Sequence, residues 1–228
     1  LVIAANRNES RGRPAALPHQ WPGEPPLWAG RDEVAGGTWL AVNEHGVVAG
    51  LTNMPTSATG ADPRRRSRGE LPLFLAREAS AERAVKTLCA STSPADYNPC
   101  WLLVADRHDA FYLDMTSDVI EAERISPGIL VLENKPLDAP SRKVDHVRAR
   151  LGEHERVDRA GLTAFLRDVL RQHGTGNDAA CVHAGPYGTR SATIAVLDAE
   201  GIALAFADGA PCQTPFVDAS YLWAELRP

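Results

Sequence analysis

Leu1 to Ala5 opens the chain as an unbroken apolar run, and the next four residues, Asn6, Arg7, Asn8 and Glu9, are all polar. A buried strand therefore hands over to potential chemistry instead of to Gly, Pro or Asp punctuation. The following segment carries Pro14, Pro18, Pro22, Pro25 and Pro26 and reads as an irregular surface loop. Thr38–Val42 and Val47–Thr52 then flank Asn43-Glu44-His45-Gly46, the pattern of a hairpin with Gly46 at the permissive turn position. After a polar loop from Thr56 to Gly69, helices are expected over about Glu70–Glu78 and again behind the N-cap candidate Ser80, with Ala84, Val85 and Leu88 on one face. Strands resume at Cys100–Ala105, Ala110–Asp114 and Ile129–Leu132. Val144, Val147 and Leu151 recur at helical spacing, and Leu162, Phe165, Leu166, Val169 and Leu170 form a cleaner stripe capped by Asp158. The chain closes in strands at Ala180–His183, Thr193–Leu197 and Ile202–Ala207, which bracket the Gly-rich loop Gly185-Pro186-Tyr187-Gly188 and the turn Ala199-Glu200-Gly201. Strands grouped in hairpins, not alternating one-for-one with helices, predict antiparallel sheets with helices packed outside, an α+β domain.

Composition narrows the classes. A chain of 228 residues that is 44% hydrophobic can bury a proper core, and a single domain over residues 1–228 is expected. The formal charge of −5, from 24 basic and 29 acidic residues, creates no general attraction for nucleic acid, so no nucleic-acid partner is expected. Cys89, Cys100, Cys181 and Cys212 lack CxxC spacing, which points away from a zinc site or a disulfide framework and fits a reducing, cytoplasmic setting. No run approaches the ~20 apolar residues that cross a bilayer, and no signal-peptide pattern precedes Leu1. Because Leu1 lies inside an apolar run, the natural chain is expected to extend upstream of it.

Four short stretches carry the candidate chemistry: Ala5-Asn6-Arg7-Asn8-Glu9, Gly36-Gly37-Thr38-Trp39-Leu40, Ser67-Arg68-Gly69-Glu70-Leu71 and Tyr187-Gly188-Thr189-Arg190. With Leu51-Thr52-Asn53 closing the first hairpin, their order resembles that of the NRDE-motif family, also called the transport and Golgi organisation protein 2 family. Each motif alone is weak, whereas five in family order over most of the chain are specific. The resemblance implies an N-terminal nucleophile hydrolase-like fold, a four-layer αββα sandwich with two antiparallel sheets between helix layers. It also implies a cytosolic or, in eukaryotes, partly mitochondrial location. Family members are implicated in moving haem between compartments, and acyl-coenzyme A binding has been proposed for them.

In enzymes of that architecture the chain begins at a Cys, Ser or Thr whose α-amine serves as base, and an Arg and an Asp orient the amine and bind the substrate. Arg7 and Asn8 look like those positions. Asn8 departs from the motif's Asp; it keeps an acceptor oxygen but loses the charge that would steady a protonated amine.

Simpler structural roles stand beside these. Arg7 could be a buried arginine paired with Glu9 or another carboxylate, although the accompanying motifs favour a site role. Gly36-Gly37 could only permit a tight backbone turn. Trp39 is core or pocket wall, with core favoured. Arg64-Arg65-Arg66-Ser67-Arg68 reads as a solvated loop in which Arg68 alone carries the family match. Arg190 follows a Gly-containing loop, a place where backbone amides and a guanidinium jointly hold a carboxylate or phosphate.

Seven histidines show no HxH or HExxH spacing, so no metal site is expected, and His183 is read as a satisfied partner of its surroundings and not as a ligand. The expected ligand-binding set is thus Asn6, Arg7, Asn8, Glu9, Gly37, Thr38, Trp39, Asn53, Arg68, Tyr187, Thr189 and Arg190. It suits a carrier of haem or acyl-coenzyme A, an apolar body with anionic groups held by Arg7, Arg68 and Arg190. Haem would then be cargo, with no cofactor required for catalysis. The alternative is an N-terminal nucleophile Cys amidohydrolase or acyltransferase whose nucleophile precedes residue 1.

Overall fold

The computed structural model describes residues 1–55, 61–152, 158–174 and 178–220. It divides into two compact units, one formed by Leu1–Arg13, Ile129–Val131 and Pro140–Pro228, the other by Pro14–Gly128 and Leu132–Ala139.

The larger sheet lies in the second unit and is an antiparallel meander of seven strands in chain order: β2 (Ala15–Trp21), β3 (Leu27–Asp32), β4 (Leu40–Asn43), β5 (Val48–Asn53), β6 (Cys100–Ala105), β7 (Ala110–Asp114) and β8 (Glu121–Arg124). The predicted hairpin forms β4 and β5, and Gly46 turns between them at φ +84°. Helices α1 (Glu70–Leu75) and α2 (Ala81–Ser91) pack on the sheet. Leu71, Leu75, Ala84 and Leu88 bury against Leu27, Ala29, Ala41, Leu102, Val104 and Leu113. Ser80 caps α2 as expected, accepting from the Arg83 amide at 3.2 Å, an interaction worth about 1 kcal/mol. On the opposite side of the strands Trp28, Val42, Val48 and Trp101 are buried as well. Burial on both sides explains why these strands read as continuous apolar runs.

Two expectations change here. The Pro-rich segment is not a loop: it contains β2 and β3. Pro18 is accommodated because β2 is an edge strand whose pairing shifts between Ala16 and His19, so its missing N–H costs the ladder no bond. Ile129–Leu132 has irregular backbone, and the strand lies earlier, at β8. β8 escapes pattern reading because Glu-Ala-Glu-Arg is exposed along its whole length; its charges suit a sheet edge.

In the first unit β1 (Val2–Ser10), β10 (Tyr187–Asp198), β11 (Gly201–Ala207) and β12 (Val217–Asp218) form an antiparallel sheet, and β9 (His183–Ala184) adds to β10. The first strand does not stop at Ala5. It carries the polar cluster to Ser10, held by nine register pairs with β10. Helix α3 (Arg142–Gly152) buries Val144, and α4 (Arg159–Arg171) packs Leu166 and Leu170 on Ala192, Ile194, Val196, Ala205 and Ala207. Asp158 caps α4 through the Gly161 amide at 2.8 Å. The strand expected over Ala180–His183 is confined to β9. Antiparallel sheets with packed helices agree with the α+β expectation. Among the described residues no helix is long and apolar enough to cross a membrane.

Candidate functional site

The motifs converge in two groups, one within each unit. In the first unit the β1–β10 ladder places Asn8 opposite Thr189, Glu9 opposite Gly188 and Arg7 opposite Ser191. The register therefore skips Arg190, which is the extra residue of a β-bulge. Bulges re-aim side chains and recur beside functional sites.

Around the bulge the polar groups form a relay. The Val182 amide donates to Thr189 Oγ1 at 2.8 Å, and the Thr189 hydroxyl donates to Asn8 Oδ1 at 2.7 Å. The Tyr187 hydroxyl donates to the Asn8 carbonyl at 3.2 Å, and burial, with Glu9 nearby, pushes its pKa up. Gly188 is required by close approach: a Cβ there would lie 2.7 Å from the Val182 carbonyl oxygen. Asn8 uses only its acceptor oxygen in this relay, and a carboxylate would supply the same acceptor. Asn8→Asp, which restores the family motif, should change unfolding free energy by less than about 1 kcal/mol at pH 7. A denaturant titration giving a larger loss would show that the amide nitrogen also matters.

Other predicted residues have structural commitments. Asn6 Nδ2 donates to the carbonyls of Leu170 at 3.0 Å and Ala180 at 2.8 Å, tying β1 to the end of α4 and to the approach to β9. Arg7 is 8% exposed. Glu9 accepts from the Ser10 amide, and its carboxylate lies 3.9 Å from Arg13. Three buried polar atoms on this stretch, Asn6 Oδ1, Arg190 Nε and Ser191 Oγ, have no hydrogen-bond partner among the described residues. Such orphans are rare in folded proteins and each calls for an explanation.

In the second unit Gly37, Thr38, Trp39, Asn53 and Arg68 come together for reasons of packing. The Thr38 amide donates to the Gly69 carbonyl at 2.9 Å, and its hydroxyl to the Leu40 carbonyl at 3.1 Å. A Cβ on Gly37 would lie 2.4 Å from the Gly69 carbonyl carbon, so two motifs meet backbone to backbone. The Trp39 ring lies over Gly30, where a Cβ would sit 2.5 Å from it. Arg68 donates to the Pro99 carbonyl at 3.1 Å, and Asn53 pairs in register with Cys100. Burial pushes the Cys100 thiol up to about 12, which keeps it protonated and unreactive.

Sequence spacing also missed a second group in the first unit. His173, Cys181, His183 and Cys212, separated by up to 39 positions, place one ligand atom each within 4.8 Å of one another. Burial and the neighbouring Cys181 raise Cys212 to about 11, whereas burial, His173 and Arg11 lower His183. No short motif could have signalled this group, because chain folding alone assembles it.

The family described as Transport and Golgi organisation 2 matches residues 1–208. Similar relatives include the Transport and Golgi organization 2 homolog of Mus musculus, 28% identical over 233 residues. The Homo sapiens homolog is 30% identical over 238 residues; both alignments cover 88% of this chain and 83% of the relative. A solved structure of a single-residue variant of conjugated bile acid hydrolase from Clostridium perfringens superposes with a TM-score of 0.57 at 11% identity, covering 96% of this chain and 89% of that one. At that identity the likeness shows the fold alone, which is N-terminal nucleophile hydrolase-like.

Proposed function

Since the chain belongs to the Transport and Golgi organisation 2 family, we propose that it is a small-molecule carrier whose ligand is haem or a long-chain acyl-coenzyme A, bound beside the β1–β10 bulge. The observation that carries this reading is the set of uncommitted buried polar atoms there, Arg190 Nε above all. A guanidinium on a bulge suits a carboxylate or phosphate, the anionic groups that haem and acyl-coenzyme A respectively present. A carrier must release its cargo, so strong axial ligation of haem iron is not expected, and no single His→Ala change should abolish binding.

Spectroscopic haem titration and calorimetry with acyl thioesters, on the wild type and on Arg190→Ala, test the proposal. Saturable binding of one ligand is expected, weakened in Arg190→Ala by about 1–3 kcal/mol through loss of a charge-assisted hydrogen bond. Linear, unsaturable haem uptake together with no acyl-coenzyme A heat overturns the carrier. Steady thioester or amide cleavage would put a hydrolase in its place.

A further inference from the structure

We propose that His173, Cys181, His183 and Cys212 form a binding site for one tetrahedral, zinc-class divalent metal ion. The distances carry the assignment. Zinc bonds of ~2.3 Å to sulfur and ~2.0–2.1 Å to nitrogen imply tetrahedral edges of roughly 3.8 Å between sulfurs and 3.6 Å between sulfur and nitrogen. The Cys181 and Cys212 sulfurs are 3.6 Å apart, and His183 Nε2 lies 3.5 Å from one and 3.2 Å from the other. Three ligands thus already stand near the corners of such a polyhedron. The His173 ring lies tilted against that of His183, 4.8 Å between centroids, and is exposed, so its side chain can rotate in as the fourth. Two thiolates with two imidazoles favour zinc over hard ions such as magnesium or calcium.

The segments that bear the ligands are held by hydrogen bonds that do not involve the metal. The Cys181 amide donates to the Gln172 carbonyl at 2.9 Å, which fixes it to the segment bearing His173. Arg171 Nε donates to the Pro211 carbonyl at 3.0 Å, which fixes the turn bearing Cys212. The reciprocal bonds between Val182 and Thr189 hold the approach to His183. These contacts preorganise the group, and the ion would clip the end of α4, β9 and the turn between β11 and β12 to one another.

One contact opposes metal and sharpens the test. Arg11 lies 3.0 Å from His183 Nδ1, and a guanidinium only donates, so the ring's proton sits on Nε2 in the metal-free state. Loading therefore moves that proton to Nδ1, withdraws Arg11, and takes Cys181 and Cys212 as thiolates.

The experiment is anaerobic titration of the whole reduced chain with Co²⁺, then displacement by Zn²⁺, with proton release read by calorimetry in buffers of different ionisation enthalpy. One equivalent is expected to give the intense visible bands of tetrahedral cobalt with thiolate charge transfer, and zinc should raise Tm. Cys212→Ser should remove the charge-transfer band. His173→Ala, at an exposed position with little bearing on folding, should weaken binding about tenfold or more. Arg11→Ala should tighten it severalfold. The assignment is overturned by octahedral or unsaturable cobalt binding while both thiols remain free to thiol reagents. Affinity unchanged in both His173→Ala and Cys212→Ser also overturns it. A Cys181–Cys212 disulfide that persists in reducing buffer and excludes metal does so too, and marks the pair as a redox couple instead.

Discussion

Replacing Asn43 by alanine is expected to lower unfolding free energy by about 3–5 kcal/mol, because it strips partners from three backbone groups at once, two of them in buried bonds. Asn43 is fully buried; its Nδ2 donates to the carbonyls of Ala76 at 2.9 Å and Glu78 at 2.8 Å, and its Oδ1 accepts from the Val47 amide at 2.9 Å. One side chain therefore closes the β4–β5 turn and anchors the chain leaving α1. Asn43→Asp separates donor from shape. It keeps the acceptor for Val47 but sets a carboxylate oxygen against two carbonyls, which raises its folded pKa above the usual carboxylate value of about 4. A group with a raised folded pKa contributes stability below its unfolded pKa and loses it as pH rises through the folded one. The aspartate variant should accordingly match Asn43→Ala near pH 7 and gain on it as pH falls through the raised folded pKa, where the protonated carboxyl donates again, with the gain complete below about 4. Chemical denaturation of the three proteins across pH measures this; a loss under about 1 kcal/mol for the alanine variant would show that water or local rearrangement replaces the amide.

Gly37→Ala is expected to cost about 2–4 kcal/mol, at or somewhat above the usual range for overpacking, because the added methyl meets backbone that cannot rotate away. Its Cβ would stand 2.4 Å from the Gly69 carbonyl carbon and 2.6 Å from the Gly69 Cα, beside the bond from the Thr38 amide to the Gly69 carbonyl. The neighbouring Gly36 provides the contrast. Its φ is +76° with open space around it, so Gly36→Ala incurs only left-handed backbone strain, roughly 1–2 kcal/mol. Thermal and denaturant unfolding should rank Gly37→Ala as the more damaging. The reverse order would mean that the two motifs can part without loss of the fold.

These cases show how far sequence patterns reach. The Gly-Gly-Thr-Trp motif was legible as a motif, but its reason was not. Gly37 is glycine because Gly69 passes against it, a contact across 32 positions that no local pattern records. Likewise the polar run Asn6 to Glu9 was visible as a site candidate, yet Asn6 gives both amide hydrogens to carbonyls of α4 and the approach to β9, and this depends on where those elements pack.

By itself the sequence determined the elements whose signals are local: the β4–β5 hairpin turned by Gly46, the caps Ser80 and Asp158, the apolar stripes of α2 and α4, and the strands β6 and β7. Turn torsions, capping bonds and periodic burial act over a few residues, so they are written in consecutive letters. Motif order sufficed for the family as well. Tertiary structure decided what depends on partners distant in the chain. Pairing made a strand of the Pro-bearing segment at a sheet edge and carried β1 through its polar residues, because a ladder of backbone hydrogen bonds is indifferent to side-chain polarity. Register alone set Arg190 on a bulge. Only the folded chain brought His173, Cys181, His183 and Cys212 within reach of one ion, since ligand geometry is a matter of distance in space and their spacing in sequence leaves it unconstrained.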